Sequence, residues 1–116
     1  MLVVIFEVET YPDKKKDYLD IAADLRSILD EFDGFISIER FESLTQPGKI
    51  LSLSFWRDEQ AIREWRNVEK HRQAQRAGRG GIFSEYRLRV ANVIRDYGMQ
   101  ERAEAPQDSK TMHDKN

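Results

Sequence analysis

The residue types best suited to chemistry gather in one stretch, Ser54 to Arg76, where the two tryptophans of the chain, Trp56 and Trp65, are followed by His71, one of its two histidines. Indole rings beside a group that titrates near neutrality are what a pocket for a flat organic ligand needs. Trp65 is a candidate wall of such a pocket; at the same helical spacing as Ala61 and Ile62 it equally suits the inner stripe of an amphipathic helix. His71 is a candidate general base, or else a surface residue among Lys70, Arg72 and Gln73. Six positions from Trp65, it would stand about 120° away on an unbroken helix. Convergence calls for a break, and Asn67, poor inside a helix and good at its start, is the place expected for one.

Glu7 could accept a proton from a phenolic substrate if burial raises its pKa; the alternative is a cross-strand pair with Arg87 or Arg89. Phe6, Trp56 and Tyr86 are candidates to line the ligand space. Arg72, one helical turn before Arg76, could steer an anionic molecule toward it. His113 belongs to no constellation. The chain has no cysteine, which excludes disulfides and thiolate chemistry. No metal-ligand set or Ser-His-Asp arrangement is visible, and the GRGG run from Gly78 to Gly81 lacks the preceding strand that a dinucleotide loop requires.

The elements that would position these residues read clearly. Leu2 to Glu9 is rich in β-branched and aromatic residues and predicts a strand ending at Tyr11-Pro12. Tyr18, Ile21, Ala22, Leu25, Ile28, Leu29 and Phe32 recur at helical steps, with Asp13 as the expected N-cap and Asp33-Gly34 as the stop. Phe35 to Ser43 predicts a strand with Ile36, Ile38 and Arg40 on one side and Phe35, Ser37, Glu39 and Phe41 on the other. A Gln46-Pro47-Gly48 turn leads to the strand Lys49 to Trp56, where Leu51, Leu53 and Phe55 alternate with serines. Asp58 is positioned to cap the second helix, and Gly78, Gly80 and Gly81 to end it. Ser84 to Asp96 returns to strand character, with Tyr86, Leu88 and Val90 facing one way and Arg87 and Arg89 the other. Residues 1–98 thus form one domain, and 99–116 a polar tail with no apolar periodicity, expected to be disordered.

At 116 residues only one core fits. A formal net charge of −2 gives no general attraction for phosphate backbones, so no nucleic acid is expected as partner. No apolar stretch reaches the ~20 residues of a membrane span, and the short apolar start lacks the basic leader of a signal peptide. A cytoplasmic location with no membrane partner is the expectation. The order β-α-β-β-α-β is the ferredoxin-like split βαβ arrangement, an α+β fold with a four-stranded antiparallel sheet. Its helices cover one face of the sheet, and both faces carry apolar residues. A second copy is the economical cover for the other face, giving a homodimer.

With its VIFEVE opening, the SLSFW strand running into a helix with Trp65, the HRQAQRAGR segment and the closing FSEYRLRVANVIRDYG, residues 1 to 98 resemble the antibiotic biosynthesis monooxygenase-like family of dimeric α+β barrels. The resemblance implies a homodimer and oxygenation of a small aromatic, quinol-type molecule with no cofactor, Trp65, His71 and Glu7 forming the catalytic set. It also implies an alternative, heme binding and degradation with His71 as axial ligand. Heme-degrading relatives carry a first-strand asparagine where this chain has Glu7 and Glu9, a departure from that pattern. A non-catalytic dimer binding a small metabolite is the third reading, since fold alone does not dictate activity.

Overall fold

In the computed structural model, which describes residues 1–74 and 81–113 with the side chains of 70–74 and 113 excepted, the first strand, β1 (Leu2–Thr10), lies at the centre of a four-stranded sheet. The other elements are α1 (Lys15–Leu29), β2 (Phe35–Glu42), β3 (Lys49–Trp56), α2 (Glu59–Ala74), β4 (Phe83–Asn92) and a short α3 (Gln107–His113). The strand order is β2-β3-β1-β4 and each neighbouring pair is antiparallel. This is the ferredoxin-like arrangement. No described helix is long and apolar enough to cross a membrane.

The pleat sorts the strands into two layers. Val4, Phe6 and Val8 of β1 share a face with Ile50, Ser52, Ser54 and Trp56 of β3, with Ile38 and Arg40 of β2, and with Tyr86, Leu88 and Val90 of β4. The helices pack on this face through two clusters, one around Leu29, Trp56, Ala61 and Trp65, the other around Val8, Tyr18 and Ile50. On the outer face lie Val3, Ile5, Glu7, Leu51, Leu53 and Phe55.

Several boundaries depart from the sequence pattern for identifiable reasons. In β2, Phe35 pairs with Trp56 but Ser37 pairs with Phe55, so Ile36 is an extra residue in the ladder. Phe35 therefore points to the helix side with Ile38 and Arg40, rather than opposite them, and its ring meets Trp56 at 5.4 Å. Lys14, not Asp13, occupies the N-cap position of α1, and no side chain caps that end. Helix α2 continues through Asn67 without a break; tertiary packing of Ala61 and Trp65 outweighs the weak local preference of one asparagine. Asp58 caps α2 as expected, Oδ1 accepting from the Ala61 N–H at 2.9 Å. Gly78 and Gly80, expected to end it, lie outside the described residues.

Gly34 takes φ +90°, and a Cβ there would stand 2.5 Å from that of Ala61, so this turn needs glycine twice over. Beside it Arg57 forks onto Asp33 at 3.0 and 3.2 Å and donates through Nε to Asp58 at 3.0 Å, tying the two helix-strand junctions together.

Within the tail, residues 99–113 are described and form turns followed by α3. Arg102 lies over the Tyr97 ring, centroid 5.4 Å away, and donates to the Gly98 carbonyl and the Ser109 hydroxyl. The Lys110 ammonium donates to the Ala103 carbonyl, and Ala105 is buried among these segments. Local side-chain to backbone bonds hold this turn and α3, an order that leaves no apolar periodicity to read.

Candidate functional site

The tryptophans form a closed core. Trp56 is 3% and Trp65 7% exposed, and both pack edge-on around Phe32, with ring centroids at 6.5 and 5.2 Å. The two indoles are 6.3 Å apart. The Trp56 Nε1–H donates to the Ser54 hydroxyl at 2.9 Å, so its polar atom is also satisfied. Trp65 is an anchor of α2, brought to this position by the same spacing that places Ala61 against the turn at Gly34.

Glu7 lies on the outer face of the sheet, and Arg89 donates to it at 3.4 Å. It is therefore separated by the sheet from the layer holding Trp65. His71 and Arg72 are carried by the last turns of α2, and their side chains lie outside the described residues, as does Arg76. Phe6 and Tyr86 are brought together on the helix-facing side, ring centroids 5.8 Å apart.

That contact opens onto a row of residues with a different character from the tryptophan cluster. Leu88, Phe6, Ser52 and Arg40 stand opposite one another across all four strands. Phe83 meets Phe6 at 5.9 Å, Tyr86 at 6.3 Å and Tyr18 of α1 at 5.6 Å, all inclined or edge-on. At the far end the Arg40 guanidinium lies 5.8 Å from the centroid of the Tyr18 ring and donates through Nε to its hydroxyl at 3.3 Å. The result is a row with aromatic residues at the β4 end and a cation at the β2 end. Tyr86 is 59% exposed there; α1 reaches β4 through Tyr18 against Phe83.

Two buried serines floor the helix-facing side, Ser52 at 6% and Ser54 at 5% exposure. Ser54 accepts from Trp56. Ser52 has no hydrogen-bond partner for its hydroxyl among the described residues. Glu69 of α2 faces Arg40 without closing to an ion pair; burial pushes its carboxyl above the ordinary range, and Arg40 pulls partly the other way. No group of three metal-ligating side chains occurs among the described residues. A shallow depression of about 480 Å³ beside Pro12, Lys15 and Leu19 includes none of the candidate residues.

Tyr18, Arg40, Ser52, Glu69 and Phe83 were not singled out from the sequence. Arg40 carried a signal, a charge at the third place of an otherwise apolar alternation after Ile36 and Ile38. The serines of β3 carried the opposite one, for they alternate with Leu51, Leu53 and Phe55, which suggests that the leucine side is the buried side. It is the serine side that the helices cover.

A four-stranded antiparallel sheet with helices on one face defines the class of small ferredoxin-like α+β domains. The family model for antibiotic biosynthesis monooxygenase matches residues 1–77, and the chain belongs to that family. Over 93 residues it is 48% identical to a protein of Pyricularia oryzae named jasmonate monooxygenase ABM, a match spanning 80% of this chain but only 43% of that relative. Among solved structures, Rv0793 of Mycobacterium tuberculosis shares the fold with a TM-score of 0.70 at 19% identity, covering 84% of this chain and 98% of that one. A mutant of MhuD, solved with two manganese protoporphyrin IX molecules per active site, follows at 0.66 and 17% identity, covering 84% and 99%.

Proposed function

We propose that the protein is a monooxygenase that acts, as a homodimer and without flavin or metal, on a small and largely apolar molecule lying in the groove between Phe6, Phe83, Tyr86 and the helices. The observation that carries this reading is the aromatic shelf itself, with Tyr86 exposed beside Leu88 and Val90 on the part of this face that belongs to β4. Family membership and the Pyricularia relative support the reaction class. The half-covered apolar outer face of Val3, Ile5, Leu51, Leu53 and Phe55 supports the dimer.

In this reaction the substrate supplies all the electrons. A methylene made acidic by a neighbouring aromatic or carbonyl group loses a proton, and the carbanion adds to dioxygen. The hydroperoxide then loses water to leave a carbonyl: one oxygen atom enters the product, the other leaves as water. The protein holds the substrate, excludes water and accepts the proton. His71 is the proposed acceptor. Glu7 faces away and is not assigned this step.

Heme binding is the other reading, favoured by the likeness to MhuD. The described residues do not fit it. The first strand offers Glu7, on the outer face of the sheet, in place of an asparagine donor.

Oxygen uptake with anthrone-type and quinol substrates tests the proposal. One dioxygen should be consumed per product formed by metal-free protein, with one labelled atom from 18O2 retained. Uptake that requires added flavin, metal or an external reductant would overturn the cofactor-independent chemistry, and no uptake with any substrate would overturn the oxygenase reading.

A further inference from the structure

Most arginines with partners in this structure are committed to carboxylates. Arg26 engages Asp30 at 2.8 Å, Arg57 engages Asp33 and Asp58 at 3.0 Å each, and Arg89 engages Glu7 at 3.4 Å. Arg40 differs. It is half-buried on the helix-facing side of the sheet, its Nε is used by the Tyr18 hydroxyl, and its two terminal nitrogens have no partner among the described residues. Removing a guanidinium from water without a counter-charge is unfavourable. Its planar pair of donors suits a carboxylate better than any other common group.

The neighbouring strand supplies a second group with an unmet need. Ser52 is directly opposite Arg40, with Cβ atoms on the order of 5 Å apart for such a pair, and its buried hydroxyl has no partner among the described residues. Beyond Ser52 the same row continues into Phe6 and Leu88, and Tyr18 leads through Phe83 to Tyr86. The groove is polar and cationic at one end and aromatic along the rest.

We propose that Arg40 is a carboxylate anchor, so that the ligand class is a small apolar carboxylic acid whose acid group forks onto Arg40 and reaches the Ser52 hydroxyl while its hydrocarbon part lies on Phe6, Phe83 and Tyr86. This rests on taking the groove as the substrate site and deepens that reading by naming the ligand's charged end. The anchor leaves the far end of the molecule, not the carbon next to the acid, at the open β4 edge. Glu69 is the local competitor for Arg40. Its displacement of charge is eased by the same burial that raises its carboxyl.

The test compares acids with their own methyl esters. Jasmonic, decanoic and 1-naphthylacetic acids and the three esters are titrated into the full chain by calorimetry, with Arg40→Gln, Arg40→Lys and Glu69→Gln beside it. At least one acid should bind, about tenfold or more tighter than its ester. Arg40→Gln should erase that preference while leaving ester binding in place, Arg40→Lys should keep only part of it because the fork is lost, and Glu69→Gln should strengthen acid binding. If Arg40→Gln does not fold, Arg40→Lys carries the comparison. Equal binding of acid and ester, binding of neither, or an acid preference that survives loss of the guanidinium would overturn the anchor. Oxygen uptake read in the same samples separates the two proposals: acid preference without uptake removes the oxygenase reading alone, and uptake without acid preference removes the anchor alone.

Discussion

The tryptophan cluster and the Arg40 row occupy the same face of the same sheet, yet they are covered to different degrees. Around Trp56 and Trp65 every ring has ring neighbours, and the Trp56 indole N–H has its acceptor. Along the Arg40 row, among the described residues, two guanidinium nitrogens and a buried hydroxyl have no partner, and a tyrosine ring is exposed. Residue types that attract notice in a sequence, tryptophan above all, are here the ones the fold consumes for its own stability. Unfinished hydrogen bonding is the better guide to where a ligand belongs.

The comparison breaks most visibly at Trp65. Trp65→Ala should cost roughly 3–5 kcal/mol in chemical denaturation, whereas Arg40→Gln should change the same midpoint far less; equal losses would mean that the groove is core as well. The serines give a smaller contrast. Ser54→Ala strands the Trp56 N–H in the interior and should cost about 1–2 kcal/mol. Ser52→Ala removes a hydroxyl that has no partner among the described residues and should be neutral or slightly stabilising. A loss at Ser52 as large as that at Ser54 would show that its hydroxyl is already satisfied.

Acid and alkali should separate the two regions more gently. Arg57 holds Asp33 below the ordinary carboxylate range, while the Ala61 N–H and then Arg57 do the same for Asp58. Groups depressed on folding lend stability above that range and lose it as pH falls through it, so melting temperature should drop on acidification, less steeply in Arg57→Gln. Glu69 acts in the reverse sense. Its raised carboxyl favours the folded state in acid and loses that contribution as pH rises, so Glu69→Gln should flatten the opposite side of the curve.

The element order, the sheet and the inner stripe of both helices could be read from periodicity, because those signals are repeated many times along the chain. The family was legible as well. The groove was not, because it is assembled by cross-strand register: Arg40, Ser52 and Phe6 are far apart in sequence and become neighbours only through pairing. Nor could alternation alone say which side of β3 is covered. Leu51, Leu53 and Phe55 are greasier than Ser52 and Ser54, yet α2 packs over the serine side because Trp56 and Ile50 lie there. The order in the tail escaped notice because Arg102 and Lys110 build it with polar bonds.

The additional residue in β2 has a bearing on ligand sign. Had the ladder run evenly from Phe35 opposite Trp56, Glu39 would have come to rest opposite Ser52 and Arg40 would have been turned to the outer surface. Ile36 shifts the frame by one step and so exchanges an anion for a cation opposite Ser52, at the β2 edge of the helix-facing side. Relatives that close up this kink while keeping the same residue count should therefore select bases where this protein selects acids.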